Sequence, residues 1–467
     1  MTPSASALDI AEAVKTGRTT ARAVVEGALA RIARHNRVLG AFTDVLAERA
    51  LAKADAVDVA VRSGGGGDPG PLAGVPFAAK NLYDIKGLVT RAGSRINRAN
   101  APAEADATLI ARLEAAGAVL VGACNMDEYA YGFVGENAHD GPSSNPHDVT
   151  RMTGGSSAGP AAAVAAGLVP LSLGSDTNGS IRVPASFCGL FGLKPTYGRL
   201  SRARTFPFVA SLDHVGPLGR SARDLALAYD VMQGFDEADP AMTKRANEPV
   251  SSRLKHGIPG IRIGIADGYF AGEGVARDAV MHVARALEAS RVVSIPQAQS
   301  ARAAAFIITM AEGAALHLDR LRSNADAFDP DVRDRLLAGA LMPAAWVTQA
   351  QKLRRQFRDS VLPLFGTLDA ILMPSTPMTA PKLGQKTALF GGVEMPLRPH
   401  IGIFTQPFSF IGLPVVSVPV WLADQRLPIG VQIVAAPWRE DIGLRIAHQL
   451  EQAGAVSAPV SKAFVEG

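Results

Sequence analysis

Hydrophobic positions divide the chain into a helical opening and a long alternation of helices with short buried strands. Residues 5–16 and 20–36 carry apolar side chains at helical spacing. In the second stretch Val24, Val25, Ala28, Leu29 and Ile32 form one stripe behind a Thr19/Thr20 cap. A third helix is expected over 45–62. The glycine run inside residues 63–70 ends it, and no Lys-Ser/Thr follows to make a phosphate loop, so the run reads as a flexible surface connection. Residues 72–79 read as a strand leading to Lys80, 109–117 as a helix and 118–121 as a short buried strand. Residues 125–152 look irregular. Further on, helices are expected over 221–234, 275–290, 300–318, 330–340, 343–360 and 440–453. Strands are expected over 261–265, 292–295, 370–373 and 428–435, and the stretch 401–420 reads as buried strands. Polar, proline-containing 235–258 looks like a linker or excursion, and 379–400 looks loop-rich. The alternation implies a layered α/β architecture. No internal repeat appears. The expected organisation is one domain over 1–467, with a helical segment to about 70, a core over about 71–235 and a completing part over about 259–467.

Residues 151–201 depart from this rhythm. Nine glycines and four prolines in that window exclude one continuous helix. Pro160 is tolerated only in the first turn of a helix, so the helix over the alanine-rich segment should start near Ser156 or Ser157 with a serine as cap. The apolar run at 168–173 leads into Gly174-Ser175-Asp176-Thr177-Asn178-Gly179-Ser180. Successive N–H groups in such a turn can converge on one oxygen, the geometry of an oxyanion hole. A serine at its end is a candidate nucleophile and needs a base within reach.

Composition narrows the function classes. With 48% hydrophobic and 19% charged residues, the chain can bury a large core. The net charge is only +4 over 467 residues and no Lys/Arg run forms a basic patch, so a nucleic-acid partner is not expected. Cys124 and Cys188 lie in apolar surroundings and read as buried free thiols in a reducing compartment. The opening residues lack the basic and apolar regions of a secretion signal, and no run of about 18 apolar residues suggests a membrane span. A soluble, cytoplasmic protein is expected. His139-Asp140 and His147-Asp148 have no helical spacing that would gather them around a metal. Asp213-His214 raises a Ser-His-Asp triad with Ser180, but adjacent residues rarely aim both side chains as that triad requires.

GGSSAG followed by GSDTNGSIRVPASFCGLFGLKPTYGRLS resembles the signature of the amidase signature family of serine hydrolases. The resemblance implies a mixed central β-sheet covered on both sides by helices, a Ser-Ser-Lys relay, and neither metal nor cofactor. Ser180 matches the nucleophile, Ser156 the bridging serine, and Lys80, in GVPFAAKNLYD, the basic lysine. Thr177, Asn178, Gly179 and Ser180 then supply the oxyanion N–H groups. Asp176 and Arg182 flank the turn and read as a pair that fixes it. The relay leaves His214 outside, in a structural or substrate-lining role. The family commonly has Gly-Gly-Ser where this chain has Asn178-Gly179-Ser180. Asparagine tolerates positive φ, so the turn is expected to survive.

Within the family, MDEYAYGF, ENAHDGPSSNPHD, SRARTFPFVASLDHVGP, IGIFTQPFSFIGLPVVSVPV and PIGVQIVAAPWRED resemble the 1-carboxybiuret hydrolases of s-triazine breakdown. That resemblance implies a small carboxylated ureide as substrate and release of ammonia. It also implies a small accessory subunit similar to that of tRNA amidotransferases, in a homodimer or heterotetramer. The rivals are a glutaminase subunit of such an amidotransferase, a general small-amide amidase, and a silent binding subunit. A carboxylated substrate needs cationic or N–H-rich contacts, for which Arg91, Arg95, His214, Arg398 and Gln406 are candidates by sequence context.

Overall fold

The computed structural model describes residues 2–63 and 68–465, so the four-glycine run expected as a flexible connection lies outside the described residues. The helical opening forms as Ala7–Lys15, Ala21–Leu39 and Ala47–Arg62. Ser6 and Asp9 make a reciprocal capping box at the first helix, and Thr20 Oγ1 accepts from Ala23 N at the second. The second helix also receives a cap from outside itself. Asp58, on the third helix, accepts from Ala21 N at 2.6 Å and Arg22 N at 3.0 Å, so one buried carboxylate locks two helices together.

Among the described residues, eleven strands form one mixed sheet. Across it run Phe42–Val45, Val119–Cys124, Pro76–Lys80, Leu171–Asp176, His214–Gly219 and Phe191–Lys194. It continues through Val415–Val420, Ile429–Ala435, Ala370–Pro374, Ile263–Ala266 and Arg291–Val293. The nine strands between the two edges are buried along their whole length, which requires helices on both faces. The edge strands are partly exposed. Strand Pro76–Lys80 runs parallel to both neighbours, and its register sets Ala79 opposite Leu173. The C-terminal ends of these two parallel strands, Lys80 and Asp176, therefore open onto the same edge, where α/β sheets place their sites.

Several expectations shift. The strand before Lys80 starts at Pro76, because residues 71–74 form turns. The expected strand run 401–420 instead starts in turns and the helix Gln406–Phe410, and within it Val415–Val420 is the strand. A short, wholly buried apolar run looks alike in either state. Residues 379–400 hold the hairpin Thr387–Phe390/Val393–Pro396, and 125–152 hold a small one at Ser144–Asn145/Asp148–Met152. The stretch Ala298–Ala327 is long and apolar enough by composition to cross a membrane, which the sequence reading did not flag. Here its helix packs against Pro330–Ala340, Ala344–Val361 and Gln406–Phe410.

The Asp58 cap gives a direct check on the helical opening. Asp58→Ala should lower the unfolding free energy by about 1–2 kcal/mol, read from urea denaturation, without altering the sheet.

Candidate active site

Lys80 ends its strand with the side chain fully buried, and Nζ lies 2.7 Å from Ser156 Oγ and 2.8 Å from Ser175 Oγ. Burial penalises the ammonium form and pushes its pKa down to about 7, against the opposing pull of Asp127, Asp176 and Asp213. Asp127 moves the other way: burial raises it, while Arg398 and Lys80 favour the carboxylate. Its carboxylate accepts from Gly135 N at 2.9 Å and Val134 N at 3.3 Å.

The helix after the first serine turn is Ala158–Ala165, with Pro160 in its first turn as the sequence requires. Ser157 holds the cap position, but its hydroxyl does not cap. It reaches across to Ser175 instead, accepting from Ser175 N and donating to Ser175 O, both at 3.2 Å. The two serine turns are thus stitched together side by side, and Ser157 N also meets Ser180 O at 3.3 Å. Among the described residues, no hydrogen bond joins the Ser156 and Ser180 hydroxyls directly.

The second turn bridges the end of strand Leu171–Asp176 and the start of helix Arg182–Cys188. Asp176 and Arg182 close it as a two-point ion pair, Nε–Oδ2 and Nη2–Oδ1 both 2.9 Å, with neither side chain exposed. Burial works against an ionised Asp176, but the charge and hydrogen bonds of Arg182 overcome it and hold the carboxyl below the usual carboxylate range. Asp176 also accepts from Ile181 N at 3.2 Å and from Ser409 Oγ at 2.9 Å. Positive φ falls on Gly179, at 143°, rather than on Asn178, so the asparagine is not needed for its backbone tolerance. A Cβ on Gly179 would also collide with Thr405 Oγ1, the hydroxyl that donates to Asn178 O at 2.7 Å. Among the described residues, the main-chain N–H groups of Thr177, Asn178, Gly179 and Ser180 donate to no protein acceptor.

Ser180 lines a cleft with about 550 Å³ of empty space, walled by Phe133, Phe208 and Phe306 and carrying Arg335, Arg398 and Gln406. Gln406 and Arg398 were expected here. Gln406 Oε1 accepts from Arg302 Nε at 3.1 Å, and Arg398 Nη2 lies 3.2 Å from Asp331. Arg91 is not among the lining residues; it pairs with Asp44 at 2.8 Å. Arg95 holds Ala327 O and Asp326 O. His214 lines a neighbouring cavity of about 720 Å³ together with Ser175, Thr177 and Asp213. Its Nδ1 faces Asp176 O at 3.1 Å, and burial, then Lys194, keep the ring neutral. Asp213 does not orient it. That carboxylate accepts from Thr177 Oγ1 at 2.6 Å and from Phe208 N and Val209 N, so the two residues form no triad with Ser180. His139 and His147 are also apart, against Glu128 and Cys188 O. The sequence reading missed Arg335. It sits in a helix of mixed charges, stacks 3.9 Å from the centroid of the Tyr131 ring, and donates to Tyr131 O and Asp331 O.

The family model described as Amidase matches residues 23–443. The chain belongs to the amidase signature family. It is an enzyme of the class that hydrolyses linear amides. This amidase is 52% identical over 450 residues to AtzE, the 1-carboxybiuret hydrolase subunit of Pseudomonas sp. (strain ADP), covering 96% of this chain and 98% of that one. It is 36% identical over 477 residues to a glutamyl-tRNA(Gln) amidotransferase subunit of Chromohalobacter salexigens, covering 95% and 96%. Among solved structures, an s-triazine catabolic enzyme in an inhibitor-bound vestigial protein complex matches with a TM-score of 0.96 and 51% identity, over 97% of this chain and 100% of that one. A 6-aminohexanoate cyclic dimer hydrolase complexed with substrate matches at 0.87 with 27% identity, over 98% and 99%.

The buried ion pair yields a stability test. Arg182→Met should lower the unfolding free energy by about 3–5 kcal/mol, because it strands Asp176 in the core. Removing both charges in Asp176→Leu/Arg182→Met should cost less than the single change in the same urea titration.

Proposed function

We propose that this amidase releases ammonia from the terminal amide of a small carboxylated ureide such as 1-carboxybiuret, leaving urea-1,3-dicarboxylate. One observation carries the reading: a buried amine, drawn towards neutrality, lies 2.7 Å from Ser156, whose neighbour Ser157 meets Ser180 O at 3.3 Å, and Ser180 lines a cleft with two guanidinium groups. The likeness to AtzE over nearly the whole chain supports the substrate class.

In the proposed cycle, neutral Lys80 accepts a proton from Ser156 as Ser156 takes one from Ser180. Rotation of a serine hydroxyl closes the remaining gap when substrate docks. Ser180 Oγ attacks the amide carbon, and the carbonyl electron pair moves to an oxyanion held by the N–H groups of Thr177, Asn178, Gly179 and Ser180. The proton returns by the same route to the departing nitrogen, the C–N bond breaks, and ammonia leaves an acyl-Ser180. Water, deprotonated by the same relay, then cleaves the ester and restores Ser180. Ser175 holds the amine in line between turns of the relay. Arg335 and Arg398 would receive the substrate carboxylate, with Arg335 held flat by Tyr131.

AtzE and the Chromohalobacter salexigens relative are both subunits by name, and a small accessory partner for this chain follows by that likeness. Two buried free cysteines accord with a reducing cytoplasm.

Ammonia release from 1-carboxybiuret, biuret and glutamine decides the substrate. Ureide hydrolysis supports the proposal, and glutamine hydrolysis alone would move the chain to the amidotransferase reading. Ser180→Ala should abolish turnover with the fold intact by circular dichroism, and Lys80→Ala should lower kcat by at least about 10²–10⁴. Because only the neutral amine can take a proton, kcat/KM should rise with pH up to and through about 7 and level off above it. Arg335→Gln and Arg398→Gln should raise KM for the carboxylated ureide more than for uncharged amides.

A further inference from the structure

We propose that the side chain of Asn178 is a specificity-determining contact that accepts a hydrogen bond from the ureide N–H next to the scissile carbonyl. The inference rests on the ureide reading above and adds the group that would tell a ureide from a carbon-chain amide such as glutamine.

Asn178 is only 6% exposed and lines the Ser180 cleft. Its Nδ2 donates to Thr309 Oγ1 at 2.9 Å, and Thr309, 1% exposed, sits inside the rigid helix Ala298–Asn324. That bond fixes the plane of the carboxamide. Its other end, Oδ1, has no hydrogen-bond partner among the described residues. An unpaired buried acceptor is costly, and a native structure that keeps one does so for a reason.

The backbone supplies no such reason. Positive φ lies at Gly179, and the turn is anchored through Asn178 O, which accepts from Thr405 Oγ1, and through Asp176 and Arg182. A glycine at 178 would satisfy all of these. The side chain is therefore surplus to the turn and is spent on the cleft.

The rest of the lining shows what is missing. Arg335 and Arg398 can only donate, and the Gln406 acceptor already serves Arg302. Tyr131 Oη is also unpaired, but a phenol can donate as well as accept. Among the lining side chains, Asn178 Oδ1 is the free group that can only accept. A carbon-chain carboxylated amide offers a carboxylate for the arginines and a carbonyl for the turn, but no N–H on the atom beside the scissile carbonyl. A ureide adds N–H groups between its carbonyls, and one placed beside the scissile carbon meets the wall formed by the nucleophile turn. Glutamine has CH₂ there and would leave Oδ1 unpaired. A site built around a substrate N–H discriminates strongly against an analogue that lacks it.

Biuret and malonamide isolate the contact, since they differ only in NH against CH₂ beside the scissile carbonyl. Steady-state kcat/KM is measured for both with the full chain, alongside 1-carboxybiuret. Asn178→Gly, which keeps the main-chain N–H, should reduce the biuret-to-malonamide ratio by about 10-fold or more, while a fluorophosphonate probe still labels Ser180. Thr309→Val, which frees the carboxamide without removing it, should reduce the ratio less and serves if Asn178→Gly does not fold. An unchanged ratio in a labelled, folded variant overturns the Asn178 assignment and leaves the ureide reading standing. A wild-type chain that hydrolyses glutamine but neither ureide removes the ureide reading and this assignment with it.

Discussion

The second serine turn depends on one buried ion pair. Asp176 ends a central strand, Arg182 begins the next helix, and their two-point contact bends the chain so that Thr177 to Ser180 project from the sheet edge. Two charges leave water to make this contact, a penalty that mutual attraction alone rarely repays. Here the remaining donors and acceptors are also satisfied. Arg182 reaches Thr405 O, Gln432 Oε1 and Ser409 Oγ, and Asp176 takes Ile181 N and Ser409 Oγ. A fully connected polar cluster of this kind fixes one conformation, which hydrophobic contacts of similar volume would leave loose.

That rigidity matters because the neighbouring lysine is held by a different force. Among the described residues Lys80 has no carboxylate partner within hydrogen-bonding range, only two hydroxyls, and burial dominates its protonation. The same sheet edge thus carries a guanidinium bound two-point to a carboxylate and an amine that burial draws towards neutrality. Parallel pairing of Pro76–Lys80 with Leu171–Asp176 makes the arrangement possible, since it brings both strand ends out on the same edge of the sheet. Ser157, spanning to Ser175, keeps the two serine turns at fixed separation.

Much of this was legible in the sequence, but unevenly. The glycine-rich window, the first-turn proline and the Asp176–Arg182 flank are local, and local steric rules read them well. Lys80 was legible only through family resemblance, because a lysine after an apolar strand looks the same whether its amine meets water or two serines. The cleft was legible least. Arg91 and Arg95 are cationic and near the motif in sequence, yet Asp44 and two main-chain carbonyls claim them. Arg335 lies in a helix whose pattern suggests a solvated face; only the packing of that helix beside Tyr131 turns it inward. Gln406–Phe410 was misassigned for a related reason, since a run buried on all sides leaves no polar phase from which to choose helix or strand.

The supports of the second serine turn come from a distant part of the sequence. Thr405, Ser409 and Gln432 lie more than two hundred positions after Ser180, and all three bind the turn or its ion pair. While the chain is being synthesised, the stretch bearing Ser180 leaves the ribosome long before its buttresses do. A nascent or prematurely terminated product therefore carries Ser180 without the contacts that shape its turn, and the arrangement of the site waits for residues 405 to 432 to be delivered.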